Sequence, residues 1–175
     1  MGLIICGMNG SGKSTLGRAL AEHLGWRFLD NEDLYFPKED PAHPYAMERT
    51  QEEVERLLLE EVRRDDRFVF AAVRGNYGEA VLPYYQAAVL VETPREIRLQ
   101  RVRERSRRKF GDRMFPGGDL YESENRFYEL VAARPEDYAT RWLATVKIPV
   151  LRVDGTKPVG ENVALISDWI GKWQL

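Results

Sequence analysis

A glycine-rich segment near the start of the chain, Gly7–Ser14, constrains the fold more than any other feature. It reads Gly-Met-Asn-Gly-Ser-Gly-Lys-Ser and fits the pattern G-x-x-x-x-G-K-[S/T]. An apolar run, Leu3–Cys6, precedes it, and a helical stripe containing Leu16 and Leu20 follows it. A strand, a loop and a helix in this order form the context in which such a loop cradles phosphate. The sequence therefore predicts a phosphate-binding loop at the carboxyl end of a first strand.

The residue types of this segment suit the binding of a nucleoside triphosphate. Glycines allow successive backbone N–H groups to turn toward phosphate oxygens, and the following helix adds its positive N-terminus. Lys13 is expected to reach the β- and γ-phosphates, and the Ser14 hydroxyl to coordinate Mg²⁺. The predicted nucleotide-binding residues are Gly7, Asn9, Gly10, Ser11, Gly12, Lys13, Ser14 and Thr15.

Short apolar runs alternate with helical patterns along the rest of the chain. The runs span residues 3–6, 26–29, 68–73, 87–91 and 150–153. They are nearly continuous, which is typical of strands covered on both faces. Strand–helix alternation with right-handed crossovers predicts an α/β fold, a three-layer sandwich around a five-stranded parallel sheet.

Composition limits the class of protein. The chain has 175 residues, 43% of them hydrophobic, which predicts one domain over 1–175 with a sizeable core. A net charge of −2 argues against a polycation that coats nucleic acid. One cysteine and two histidines cannot supply a disulfide framework or a zinc cluster. Because no leader or membrane-length apolar run is present, we expect a soluble, cytoplasmic protein.

Three further segments carry distinctive residues where predicted strands end: Phe28–Asp33, Arg95–Arg113 and Val153–Val159. Together with the glycine loop they resemble the nucleoside monophosphate kinase and shikimate kinase group of P-loop proteins. The resemblance covers most of the chain. It implies the strand order 2-3-1-4-5, a small lid, and transfer of the ATP γ-phosphate to a small-molecule acceptor, with ATP and Mg²⁺ as the implied cofactors.

The acidic segment is Phe-Leu-Asp-Asn-Glu-Asp, and it looks like the Asp-x-Asp segment of shikimate-type kinases. The resemblance implies that Asp30 and Ser14 bind the magnesium ion and that Asp30 also contacts the substrate. It implies that Glu32 or Asp33 contacts the acceptor hydroxyl. A carboxylate there orients a hydroxyl and takes its proton during phosphoryl transfer. Acids in this position also cap helices, so an N-cap is the alternative interpretation.

The basic segment holds nine Arg or Lys residues against three acidic ones. By resemblance it belongs to the lid, with a lid loop over residues 107–120. Arg101 and Arg105 lie one helical turn apart and are predicted to converge on the transferred phosphoryl group, as catalytic residues beside Lys13. The alternative is a solvated basic face of a helix.

The third segment, Val-Asp-Gly-Thr-Lys-Pro-Val, closely matches the adenine-side loop of adenylate kinases. The resemblance implies that Lys157, Pro158 and Val159 contact the ATP base. The alternative is a plain turn between a strand and a helix.

Two departures from known patterns limit the assignment. The third strand ends in Arg74 and Gly75 without the usual Walker B aspartate, as in shikimate kinases, and there is no Asn-Lys-x-Asp motif. Motor-type ATPases and switch GTPases are therefore disfavoured. The lid sequence matches neither named enzyme, so the acceptor is unassigned. Arg49, Arg74 and Gly75 are predicted to contact it, and Tyr138 is interpreted as a packing residue.

The sequence leaves two functions open. The first is an ATP-dependent small-molecule kinase that acts without nucleic acid or membrane. The second is a nucleotide-dependent regulatory or nucleic-acid-binding NTPase, in which the basic segment contacts the partner. A polynucleotide 5′-hydroxyl kinase would combine the two.

Overall fold

The computed structural model describes residues 1–37, 45 and 47–172. They form a parallel sheet with helices packed on both of its faces. The five strands are β1 (Gly2–Cys6), β2 (Arg27–Asp30), β3 (Phe68–Ala72), β4 (Tyr85–Glu92) and β5 (Val150–Asp154). Their order across the sheet is β2-β3-β1-β4-β5, and every pairing is parallel. The predicted α/β architecture and strand order are therefore confirmed.

Seven α-helices are described. They are α1 (Lys13–Leu24), α2 (Asn31–Tyr35), α3 (Gln51–Arg64), α4 (Arg95–Phe110), α5 (Tyr121–Ala133), α6 (Tyr138–Leu143) and α7 (Val159–Gly171). Thr50 begins α3 with a capping box, in which its side chain and that of Glu53 each accept from the other's backbone N–H. Within the described residues, no helix is long and apolar enough to cross a membrane.

The sheet separates two apolar clusters. On one face α1 and α7 cover alternate strand residues such as Leu3 and Ile5. On the other face α3 and α6 cover the intervening ones, such as Ile4 and Phe70. Cys6 is fully buried in this second cluster, and burial raises the pKa of its thiol well above the ordinary range.

The predicted helical stripes match these faces. In α3, the stripe Val54, Leu58 and Val62 is completely buried. In α7, Val163, Ile166 and Ile170 are buried, whereas Trp173, the last residue of that predicted stripe, lies outside the described residues. The central strands β1 and β3 are buried throughout, as the apolar runs predict.

The prediction that the fifth strand is covered on both faces is wrong. Only Val153 of β5 is buried, and Val150 is exposed. β5 pairs only with β4, so it forms one edge of the sheet. An edge strand needs less apolar covering than a central strand, and Arg152 instead forms an ion pair with Glu92 of β4.

The segment predicted as a lid loop, residues 107–120, contains more regular structure than its sequence suggests. α4 continues to Phe110, and Gly111–Met114 forms a 3₁₀ turn. An ion pair between Arg113 and Asp119 closes the remaining turn before α5.

Candidate functional site

The glycine loop, residues 7–12, joins the carboxyl end of β1 to the start of α1. Gly10 and Gly12 adopt left-handed backbone conformations, with φ of 79° and 97°. A Cβ on Gly10 would collide with the Arg98 carbonyl, a backbone group that cannot move aside. The loop therefore requires glycine both for its conformation and for its close contact with α4.

The loop is fixed from beneath through the Ser11 carbonyl. This oxygen accepts a hydrogen bond of 3.1 Å from the Thr93 hydroxyl and one of 3.5 Å from Arg101 Nη1. The Ser11 hydroxyl is buried and has no partner within the described residues. These anchors hold the loop in a curled shape whose free backbone amides suit a phosphate chain.

Four charged groups from different elements affect the pKa of Lys13. Burial is the main cause that lowers the pKa of its ammonium; Asp30 and Glu32 oppose that shift, and Arg105 and Arg134 reinforce it. Two carboxylates and two further cations are therefore near enough to Lys13 to affect its pKa. Such a site is suited to a polyanion and to a proton acceptor beside it.

Two of these charged groups, Asp30 and Glu32, belong to the acidic segment. The Asp30 side chain caps α2 by accepting a 3.0 Å hydrogen bond from the Glu32 N–H, so the capping interpretation holds for Asp30. Asp30 and Glu32 both act on Lys13. Asp33 is exposed, whereas Glu32 is half-buried and lies 3.8 Å from Arg105. Glu32 is therefore the stronger candidate of the two for a role at the site.

Glu32 also connects α2 to the end of α4. Its carboxylate accepts a hydrogen bond of 2.7 Å from the Tyr45 hydroxyl, and it lies 3.8 Å from Arg105 Nη1 and 3.9 Å from Lys109 Nζ. The Tyr45 ring stacks edge-on against Phe110, with centroids 6.1 Å apart. The last turns of α4 are thus joined to α2 through polar and aromatic contacts.

Arg101 and Arg105 contact different elements. Arg101 Nη1 donates to the Gly155 carbonyl at 3.1 Å and approaches the Ser11 carbonyl, whereas Arg105 lies 3.8 Å from Glu32. They lie one turn apart as predicted, but they diverge. Arg101 stands between the glycine loop and the turn after β5.

The turn after β5 lies against the glycine loop. The Gly155 N–H donates to the Glu92 carbonyl at 2.7 Å, and a Cβ on Gly155 would collide with Thr93 and Ser11. The Asp154 carboxylate accepts from the N–H and the hydroxyl of Thr156, which fixes the turn. Lys157, Pro158 and Val159 are exposed at the start of α7 and are free to contact a ligand.

Of the predicted acceptor-side residues, Arg49 has a structural contact. Its Nη1 donates to the Leu34 carbonyl at 2.8 Å, at the end of α2. Gly75 is buried, and a Cβ there would collide with the Trp142 ring. The guanidinium of Arg74 lies 4.4 Å from the centroid of the Tyr138 ring. Tyr138, interpreted from the sequence as packing, therefore also contacts a predicted site residue.

Arg134 is a site residue that sequence reasoning missed. It follows α5, and its Nη1 lies 2.5 Å from Asn9 Oδ1 in the glycine loop. It is one of the cations that act on Lys13. An isolated Arg-Pro after a helix carries no motif, so only the fold brings this residue to the site.

Several arginines of the basic segment contact other residues of the protein. Arg98 is buried and bonded to both oxygens of Glu136 at 2.8 and 2.7 Å. Arg103 lies over the Tyr128 ring, and Arg95 donates to the Ala132 carbonyl. These contacts argue against one continuous cationic surface on α4.

The fold and the glycine loop together define a P-loop protein with kinase-like topology. Comparison with known proteins assigns the family: residues 3–127 match the AAA domain family, and the chain belongs to it.

Similar proteins include kinases. "Uncharacterized protein YqaC" of Bacillus subtilis (strain 168) is 26% identical over 174 residues, 95% of each chain. A shikimate kinase of Synechococcus sp. (strain RCC307) is 37% identical over 87 residues, 44% of this chain and 45% of the relative. The solved structure of deoxyadenosine kinase from M. mycoides with bound dATP covers 98% of this chain and 100% of its own, with a TM-score of 0.57 and 17% identity, which shows a shared fold.

Proposed function

We propose that this chain is an ATP-dependent phosphotransferase that moves the γ-phosphoryl group of ATP to a hydroxyl or phosphate of a small molecule. One arrangement carries the proposal: beside the glycine loop, the Glu32 carboxylate lies 3.8 Å from Arg105, and Arg134 contacts Asn9 of the loop itself. Both Glu32 and Arg105 are close enough to Lys13 to affect its pKa. Transfer to a hydroxyl needs a group at this place that receives the hydroxyl proton, and the Glu32 carboxylate can do so.

On the nucleotide side, the backbone amides of Gly10, Gly12, Lys13 and Ser14 and the ammonium of Lys13 hold the phosphates. The amides of Gly7 and Ser11 instead donate to the Val73 and Met8 carbonyls. Arg101 and the turn at 157–159 border the base. Ser14 and Asp30 are the proposed magnesium-binding residues, and two protein oxygens suit an ion that usually keeps several waters. When bound, Mg²⁺ would neutralise charge on the transferred phosphoryl group.

On the acceptor side, Glu32 orients the attacking hydroxyl and takes its proton as the oxygen bonds to the γ-phosphorus and the bond to ADP breaks. If the acceptor is a phosphate, its oxygen is already ionised, so no proton has to be removed and Glu32 is not needed as a base. Arg105 offsets the charge that develops on the phosphoryl oxygens. Asp30, Asp33, Arg49, Arg74 and Gly75 complete the proposed acceptor crevice.

The proposed lid, residues 107–120, closes over this site and excludes water. The Lys109 and Phe110 contacts with Tyr45 support a closed arrangement of α4 against the acceptor side. A single domain over residues 1–175 contains both halves of the proposed site.

The test is ADP release from ATP and Mg²⁺ across a panel of sugar, sugar-acid and nucleoside hydroxyl acceptors and of nucleoside monophosphates. We expect one acceptor class to raise the rate well above the acceptor-free rate, and Lys13→Ala to abolish this increase. Lys147→Ala, at an exposed lysine distant in sequence from the loop, is the control. Slow hydrolysis that no acceptor changes would instead support a regulatory NTPase.

A further inference from the structure

Arg74 and Arg134 come from different parts of the fold and share one aromatic ring. The guanidinium carbon of Arg74 lies 4.4 Å from the centroid of the Tyr138 ring, and that of Arg134 lies 5.4 Å from the same centroid. The two cations are therefore within about 10 Å of each other, roughly one Debye length at 0.1 M salt. Tyr138 brings them together.

The location of the two arginines makes this pair relevant to the reaction. Arg74 follows β3, next to Val73, whose carbonyl accepts from Gly7 N–H of the glycine loop. Arg134 reaches the same loop through Asn9. The pair thus lies where the acceptor crevice borders the nucleotide phosphates.

Among the residues that the structure describes, no acidic side chain pairs with either guanidinium. Both side chains are half-buried, and within the described residues neither lies within 4.0 Å of a carboxylate oxygen. Glu48 and Glu55 are close enough to affect Tyr35 together with Arg74, but they form no ion pair with it. An aromatic ring attracts a cation only weakly compared with a carboxylate or phosphate.

Tyr138 is well placed to hold both groups. It begins α6, its N–H donates to the Pro135 carbonyl at 3.1 Å, and its side chain packs against the core cluster that contains Trp142. The ring is therefore fixed by the fold, and the arginines are oriented by the ring.

We propose that Tyr138 is a positioning residue that presents Arg74 and Arg134 to one anionic group, a phosphate or carboxylate, on the acceptor. The inference rests on the proposed function and specifies its substrate class as an anionic acceptor. The hydroxyl of Tyr138 is not needed for this role, whereas its aromatic face is.

The test is calorimetric titration of the full-length chain, saturated with ADP, with inorganic phosphate in one arm and acetate in the other. We expect saturable binding of at least one anion. Arg74→Met and Tyr138→Leu should weaken it at least tenfold, whereas Tyr138→Phe should change it less than threefold. Arg67→Met, at the opposite end of β3, is the matched control and should have no effect.

Three outcomes would overturn the proposal. They are no saturable binding of either anion, unchanged binding in Arg74→Met, and equal weakening in Tyr138→Phe and Tyr138→Leu. If Lys13 alone bound the phosphate next to ADP, binding would be unchanged in Arg74→Met, which is the second of these outcomes. Arg74→Met keeps the test decisive if Tyr138→Leu does not fold. If ADP itself does not bind, the proposed function fails first; if ADP binds and neither anion does, only this inference fails.

Discussion

The Tyr45 hydroxyl donates a 2.7 Å hydrogen bond to Glu32 Oε1 and accepts one of 2.8 Å from Lys109 Nζ. Burial, followed by the hydrogen bond to Glu32, raises the pKa of Tyr45 well above its ordinary range, so the phenol remains a donor. One side chain therefore orients the proposed proton acceptor and connects it to the end of α4.

Replacing Tyr45 with Phe tests this connection. The ring contacts remain, but Glu32 loses a charge-assisted hydrogen bond worth about 1.5–3 kcal/mol. We expect acceptor-dependent ADP release to fall about tenfold to hundredfold in kcat, with little change in the KM for ATP. Tyr121→Phe, at an exposed tyrosine, is the control. An unchanged kcat would remove Tyr45 from the mechanism.

Lys13→Met should increase thermal stability while it abolishes ATP binding. Because burial lowers the pKa of Lys13, the folded protein binds its proton less tightly than the unfolded chain does. Stability therefore rises with pH between the folded and unfolded pKa values, and below that window the charged lysine destabilises the fold.

Methionine keeps the apolar stem without the charge. Each kcal/mol gained raises the Tm of a chain of this size by about 2–4 °C. Differential scanning calorimetry measures the Tm, and nucleotide titration of the same sample measures ATP binding. Lys147→Met should change neither. A lower Tm in Lys13→Met would show that the ammonium stabilises the empty loop.

Substitution of Arg101 should weaken ATP binding, whereas substitution of Arg105 should slow the reaction of bound substrates. Arg101 contacts the Ser11 and Gly155 carbonyls, so Arg101→Met is expected to raise the Kd for ATP about tenfold with a nearly unchanged kcat. Arg105 faces Lys13 and Glu32, so Arg105→Met should lower kcat by about 100-fold or more. Arg103→Met, on the same helix, exposed and outside the proposed lid, is the control. Equal effects of the first two substitutions on both constants would contradict the division.

Glu136→Ala should destabilise the fold without touching the site directly. It leaves the buried Arg98 guanidinium bonded only to the Thr93 carbonyl. Because Glu136 itself is 61% exposed, we expect a loss of about 1.5–3 kcal/mol in the free energy of unfolding, less than for a fully buried pair. Urea denaturation measures it.

Asp137→Ala is the matched control for this substitution. It breaks an exposed pair with Arg141, worth only about 0.3–0.5 kcal/mol. Similar losses for the two variants would mean that the Arg98 contact is no stronger than a surface pair.

The strands and the glycine loop follow from the sequence because their signals are local. Apolar runs such as Leu3–Cys6 and the stripe containing Leu58 report burial directly, and the spacing of the loop glycines reports backbone conformation. The strand order came from resemblance to known kinases, and the structure confirms it.

The parts that sequence reasoning missed depend on contacts between distant segments. Arg134 reaches Asn9 across 125 positions of the chain, and Tyr138 meets Arg74 across 64 positions. Arg101 and Arg105 share a helix face, but the elements opposite them differ, which one helix pattern cannot reveal. The exposure of β5 likewise depends on its place at the sheet edge.

Cys6, the one thiol in the sequence, lies fully buried behind the glycine loop, and its raised pKa keeps it protonated and poorly nucleophilic. A maleimide dye should therefore leave the native chain unlabelled. Cysteines introduced at exposed positions such as Arg107 and Glu48 would be the only reactive ones, so a fluorophore pair can follow the distance between α4 and the start of α3 without a cysteine-free background. The burial that makes Cys6 chemically silent thus makes the protein a ready host for single-molecule distance measurements.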